Sequence, residues 1–176
     1  AGNSYYFYDI NAKINYRIND KDRLYLSGYF GRDVFKFQDP GGNFKLDFPW
    51  GNATATMRWN HLFNDKLFLN TMFIYNDFGF KANADFMDIK FGLNSSVREF
   101  TGKMDFDYSP LLGHRMKFGW QYNFHIFTPY QASGKAGDVD FKTTNQAKKY
   151  AHETAVYFLD DFEATNWLKI NIGLRS

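Results

Sequence analysis

The four histidines, His61, His114, His125 and His152, are the first residues to test for chemistry. No two have the close spacing with which a metal site draws two ligands from one element. His114 falls in a turn and His125 on the polar side of a strand, so they are read as solvated or interfacial. Asp20 and Asp22 lack the Gly and the distal Glu of a calcium loop, and turn chemistry accounts for them. Gly134-Lys135-Ala136 lacks the glycine spacing and the Ser/Thr of a phosphate loop. Asp160-Asp161 places two carboxylates near a strand end, where at least one reaches water. No Ser/His or Asp/His set stands out to make that pair catalytic. The chain has no Cys, which removes disulfides, thiolate zinc sites and a Cys nucleophile. No catalytic residue, metal or cofactor is expected, and the protein is not read as an enzyme.

The elements that carry these residues follow from composition and pattern. The 176 residues suit one domain. Aromatics make up 21%, with 21 Phe, 12 Tyr and 4 Trp, yet hydrophobic residues reach only 44%. Mean hydropathy is -0.51, so apolar residues are interleaved with polar ones. The longest apolar run, Ala155 to Leu159, is far short of the ~20 residues of a transmembrane helix. A membrane barrel stays open, because its strands need only alternate residues to be apolar. A net charge of +2 gives no electrostatic footprint for nucleic acid. The first residue is Ala1, not Met, which points to a processed chain or a piece of a longer one.

Alternation with period two dominates. Tyr8, Ile10, Ala12, Ile14, Tyr16 and Ile18 alternate with Asp9, Asn11, Lys13, Asn15 and Arg17. A helix would mix these two sets on one face. Met116, Phe118, Trp120, Tyr122, Phe124 and Ile126 form a second apolar row, Leu168, Ile170, Ile172 and Leu174 a third. Ala53, Ala55, Met57, Trp59 and Phe63 form another, as do Phe100, Gly102, Met104, Phe106 and Tyr108. The faces of 67–78 and 150–163 are not assignable from pattern.

Eight strands result, at about 5–18, 23–37, 50–63, 67–78, 87–109, 115–128, 150–163 and 167–175. Short connections (19–22, 64–66, 110–114, 164–166) alternate with longer ones (38–49, 79–86, 129–149). Short periplasmic turns opposite longer extracellular loops are how an outer-membrane barrel is built. The fold class is therefore all-β, an antiparallel transmembrane β-barrel in the outer membrane of a Gram-negative bacterium. Tyr8, Ile10, Ala12, Ile14, Tyr16, Met57, Trp59, Phe118, Trp120, Tyr122, Phe124, Leu168, Ile170 and Ile172 are expected to face lipid. Lys103, Asp105, Asp107, Lys117, Gln121, Asn123, Asn171 and Arg175 are expected to line a polar lumen. In the fifth strand the apolar phase switches near Ser95-Ser96-Val97. That implies a bulge, or the level at which the strand leaves the membrane.

Three stretches resemble TonB-dependent outer-membrane receptors, especially those of Bacteroidetes: MRWNHLFNDKLFLNTMFIYNDFGF (57–80), SSVREFTGKMDFDYSPLLGHRMKFGWQYNFHIFTP (95–129) and AVYFLDDFEATNWLKINIGLRS (155–176). The last ends in a Gly-Leu-Arg pattern, and departs from it in having Ser176 where an aromatic often stands. The resemblance implies a segment of a 22-stranded barrel, with no plug domain in these 176 residues. It also implies import of a scarce nutrient such as a siderophore, cobalamin, glycan or peptide. The implied partners are outer-membrane lipid, the rest of the barrel, the plug, the TonB system through that plug, and a lid lipoprotein; nucleic acid is not among them. Two other readings compete. One is a complete eight-stranded barrel of the OmpA/OmpX type, serving as anchor, adhesin or narrow pore. The other is a soluble lipocalin-like barrel with its apolar face turned inward.

Overall fold

The computed structural model describes residues 2–143 and 146–176. Strand accounts for 84% of the described residues. The strands are β1 (Ser4–Arg17), β2 (Asp22–Gln38), β3 (Phe44–Asn64), β4 (Leu67–Phe86), β5 (Ile89–Tyr108), β6 (His114–Ala136), β7 (Val139–Thr143), β8 (Lys149–Thr165) and β9 (Leu168–Arg175). They form one antiparallel sheet in the order β1-β2-β3-β4-β5-β6-β8-β9. The short β7 pairs with the upper end of β6, and β8 with its lower part.

Two of the short connections, which mark the lower end of the sheet, are set by local polar chemistry. Asn19 Oδ1 accepts from the backbone N–H of Lys21 (2.7 Å) and Asp22 (2.8 Å). Asn64 Oδ1 does the same for Lys66 (2.9 Å) and Leu67 (3.1 Å). An Asn side chain that mimics a backbone turn is the reason these short connections close. At the upper end, Asp39 accepts from Phe44 N–H at 2.6 Å, and Gly42 takes the left-handed φ of 73° that this turn requires.

The upper connections differ from expectation. Residues 79–86 belong to β4, and the link to β5 is only Met87-Asp88. The expected loop at 38–49 shrinks to 39–43, because Phe44, Leu46, Phe48 and Trp50 alternate with Lys45, Asp47 and Pro49 and extend β3. Within 129–149, β6 runs on to Ala136 and β7 returns along it; residues 144–145 of that connection lie outside the described residues. The asymmetry between the two ends is thus one of strand length more than loop length.

The sheet has no second layer. Among the described residues only Val34 (3% exposed) and Leu69 (4%) are buried apolar side chains. A soluble domain buries its apolar face against another layer, and nothing here does that job. The sheet is also not closed: every residue of β1 is exposed, and no pairing joins β1 to β9. A complete eight-stranded barrel would join those two edges.

Candidate functional site

Register decides which side chains share a face. One line of cross-strand partners runs Ala12–Gly28–Ala55–Tyr75–Phe100–Phe124–His152. The next line down runs Ile14–Leu26–Met57–Phe73–Gly102–Tyr122–Thr154. Below it runs Tyr16–Leu24–Trp59–Thr71–Met104–Trp120–Val156. Together they make an apolar belt on one face. All fourteen residues expected to face lipid lie on this belt face. Tyr8 and Ile10 lie above these lines on β1, Phe118 pairs with Phe158, and Ile170 and Ile172 oppose Phe162 and Asp160, with Leu168 two residues before. The structure also assigns the two strands that pattern left open: the belt side is Leu69, Phe73 and Tyr75 on β4, and Val156, Phe158 and Phe162 on β8.

Polar pairs edge the belt. At the lower border His61 Nδ1 lies 2.6 Å from Asp22 Oδ1, and Trp59 Nε1 donates to the same oxygen at 3.0 Å. The hydrogen bond from His61, with that from Asn19, holds the Asp22 carboxyl at the turn below its ordinary range. Also near the lower end, His114 Nδ1 lies 2.7 Å from Asp160 Oδ2 and stacks on Phe162 at 4.3 Å. At the upper border Arg98 donates to Asp77 Oδ2 from Nε (3.1 Å) and Nη2 (2.9 Å), and the Tyr75 hydroxyl donates to it at 2.9 Å.

The opposite face carries a hydrogen-bonded network across five strands. Thr54 Oγ1 donates to Asn76 Oδ1 (2.9 Å), whose Nδ2 donates to Glu99 Oε1 (3.3 Å). Thr101 Oγ1 donates to Asn123 Oδ1 at 3.0 Å, and Gln121 Nε2 to the same oxygen at 3.1 Å. His125 stands between two carboxylates, Nδ1 3.0 Å from Glu99 Oε2 and Nε2 3.5 Å from Glu153 Oε2. No group of three His, Asp or Glu among the described residues is arranged to hold a metal.

Lower on this face, Lys103 pairs with Asp105 at 3.1 Å, Lys117 with Asp107 at 3.3 Å, and Asn171 with Asp161. The residues expected to line a lumen, Lys103, Asp105, Asp107, Lys117, Gln121, Asn123, Asn171 and Arg175, all fall here by register. Sequence reasoning missed Thr54, Asn76, Glu99, Thr101 and Glu153. Each is an unremarkable polar residue on a strand, and only the register brings them into one row. His125, expected to be solvated or interfacial, is 13% exposed between Glu99 and Glu153.

Above the belt the two faces exchange character. On β4 the belt-side row continues as Gly79, Lys81, Asn83 and Asp85, while the network-side row becomes Phe78, Phe80, Ala82, Ala84 and Phe86. Phe48 meets Trp50 at 5.3 Å and Phe80 at 6.0 Å, and Tyr5 stacks on Trp50 at 6.2 Å. The phase switch near Ser95 is this exchange. β5 stays in continuous register with β4 through it; the only bulge at that level lies toward β6, where Pro129 and Tyr130 oppose Ser95. A proline is tolerated there because a bulged residue need not donate to the ladder.

No family model matches the chain, and no curated protein matches it by sequence. Solved structures do match. The chain is similar to the ferric yersiniabactin uptake receptor FyuA from Yersinia pestis, with a TM-score of 0.70 and 13% identity over 96% of this chain and 27% of that one. It is similar to the siderophore receptor PiuA from Acinetobacter baumannii, with a TM-score of 0.69 and 14% identity over 99% of this chain and 35% of that one. BauA, the ferric preacinetobactin receptor from Acinetobacter baumannii, gives a TM-score of 0.62 and 10% identity over 98% of this chain and 33% of that one. The chain thus spans about a third or less of each structure it matches. Its open antiparallel sheet, apolar on one face and hydrogen-bonded on the other, has the fold of a barrel-wall segment of TonB-dependent siderophore receptors.

Proposed function

We propose that this chain is part of the wall of an outer-membrane barrel belonging to a TonB-dependent transporter that imports a scarce nutrient. The belt face lies against lipid and the network face lines the lumen. The two-faced sheet carries this reading. A belt edged by ion pairs suits a lipid slab, and a network with polar atoms to spare suits a wet, plug-filled interior. The open edges of β1 and β9 fit pairing with further strands. The similar structures are a ferric yersiniabactin uptake receptor, a siderophore receptor and a ferric preacinetobactin receptor, and a siderophore is the favoured member of a substrate class that also includes cobalamin, glycans and peptides. Plug, TonB system and lid lipoprotein are the proposed partners, and transport is the proposed role in place of catalysis.

The test is the denatured mass and N-terminal sequence of the protein from its own outer membrane, followed by uptake of labelled ferric siderophore. A chain several times 20.7 kDa, with uptake abolished by a protonophore, is the expected result. A native chain of 20.7 kDa beginning at Ala1 would refute the reading.

A further inference from the structure

Two depressions on the belt face lie one above the other. The lower has a volume of about 680 Å³ and an almost wholly apolar lining that includes Ala12, Gly28, Ala55, Gly102, Phe73 and Trp120. Its floor is a row of small residues, since Ala12, Gly28 and Ala55 are direct cross-strand partners. A Cβ added at Gly28 would meet nothing closer than the Thr54 carbonyl oxygen at 3.9 Å, so a side chain there fits without a clash. The upper depression has a volume of about 380 Å³ and is lined by Phe30, Arg32, Gly51, Gly79, Lys81 and Ser96, among others. Gly28, Phe30 and Arg32 are successive belt-side residues of β2, so the two depressions are neighbours along that strand, with the row Phe30–Ala53–Asp77–Arg98 at the boundary between them. From Gly28 to Arg32 is about 13 Å along the strand.

The cations are placed asymmetrically. Arg32 and Lys81 make no ion pair among the described residues; of the two carboxylates four residues from Lys81 on its own face, Asp77 is taken by Arg98 and Asp85 lies opposite Lys90. Arg98 itself sits two residues from Ser96 on the same face. At the lower border the belt face carries Asp22, His61, His114 and Asp160, and no strand residue there that shares the face is Lys or Arg.

We propose that these depressions seat one membrane lipid, its acyl chain in the lower trough and its anionic phosphate head against Arg32 and Lys81. The proposal rests on the belt face lying against lipid. It adds a defined, leaflet-specific ligand on the outside of the wall. The occupant follows from charge and adjacency: an apolar trough lying beside two cations that make no ion pair among the described residues matches an anionic amphiphile. Glycine at Gly51 and Gly79 lets the head approach the backbone closely.

The test uses the full-length protein, purified in detergent and titrated with phosphatidic acid by native mass spectrometry. Diacylglycerol and inorganic phosphate serve as the two half-ligands. Phosphatidic acid is expected to bind and each half-ligand to fail. The double variant Arg32→Ala/Lys81→Ala is expected to bind phosphatidic acid about thirtyfold more weakly, from the usual strength of two cations at an anionic membrane surface. Gly28→Leu, which fills the trough, is expected to lose phosphatidic acid as well. Equal binding of diacylglycerol would overturn the role of the cations, and equal binding of inorganic phosphate would overturn the role of the trough. Unchanged binding in both variants would overturn the site. Insertion of the wild type into phospholipid vesicles is scored separately, by protease protection. A protein that fails to insert refutes the membrane reading, whereas one that inserts but binds no phosphatidic acid refutes only the lipid seat.

Discussion

Phe73 and Ile74 are adjacent on β4 and point to opposite faces, so they test the facing of the sheet at a single depth. On β4 the lower border lies at Leu69, the partner of His61, and the upper border at Asp77. Phe73 is four residues from each. Eight steps of about 3.3 Å, tilted by about 45°, span about 19 Å of membrane normal, which puts Phe73 near the midplane. Phe73 is 53% exposed on the belt face, and Ile74 sits on the network face beside Thr56 and Thr101. An Arg at the midplane of a lipid face costs about 2–4 kcal/mol, whereas a lumen position tolerates it. Phe73→Arg should therefore be about 2–4 kcal/mol less stable than Phe73→Ala. Ile74→Arg should fall within about 1 kcal/mol of Ile74→Ala, because Thr101 and the nearby Glu99 offer it polar company. The assay is guanidinium-dependent unfolding of the full-length protein in phospholipid vesicles, read by tryptophan fluorescence. The Ala variants remove the contribution of lost apolar contact. If the Arg penalty is larger at position 74 than at 73, the faces are reversed, and the lipid-facing assignment falls for every strand in register with β4.

Three further outcomes follow from the same geometry. His125→Ala should cost about 0.5–1.5 kcal/mol in the same assay, because it removes the contact to half-buried Glu99, while Glu153 is exposed and stays solvated; His125→Gln should recover part of that loss. Gly119→Ala should cost about 1–3 kcal/mol, since a Cβ there would sit 2.5 Å from the Met104 carbonyl oxygen and from the Tyr157 hydroxyl. Adding Tyr157→Phe should not restore it, because the backbone clash remains. Asp22 is held below its ordinary carboxylate range by His61 first and Asn19 second, so its contribution is fully present above the ordinary value and is lost as pH falls through the depressed one. Acid titration of the wild type against Asp22→Asn should show the two converging only in that acidic window, and a difference that vanished already near neutrality would contradict the assignment.

The sequence made some elements plain and hid others for identifiable reasons. From Tyr8 to Arg17 β1 was legible because its two faces do not mix: Ile, Ala and Tyr fall on one side, Asp, Asn, Lys and Arg on the other. β8 was not, because its network side also carries apolar residues. Tyr157 lies against Gly119 and Leu159 against Gly173, each covering a neighbouring strand where no side chain exists. Such cover is a cross-strand relation and is invisible within one strand. The upper halves of β3 and β4 were read as loops because the apolar phase inverts as they pass the belt. A strand that changes environment halfway along gives two short, opposed patterns in place of one long one. The polar network was hidden for a third reason. Its members are spaced by strand register, and a shift of one residue in any pairing would scatter them to the other face.

The order of strands along the sheet also has a kinetic meaning. Apart from the small detour through β7, every strand among the described residues pairs with its predecessor in the chain. Each addition therefore closes only a hairpin-sized loop, whose entropic cost is small and nearly constant from one strand to the next. A sheet of this kind can grow like a zipper, with the most recent strand serving as template for the one that follows. The long upper extensions lengthen each tooth without changing the sequence of closures. Contacts local in sequence are the ones associated with rapid formation, so the barrel wall is laid down by repetition of one inexpensive step.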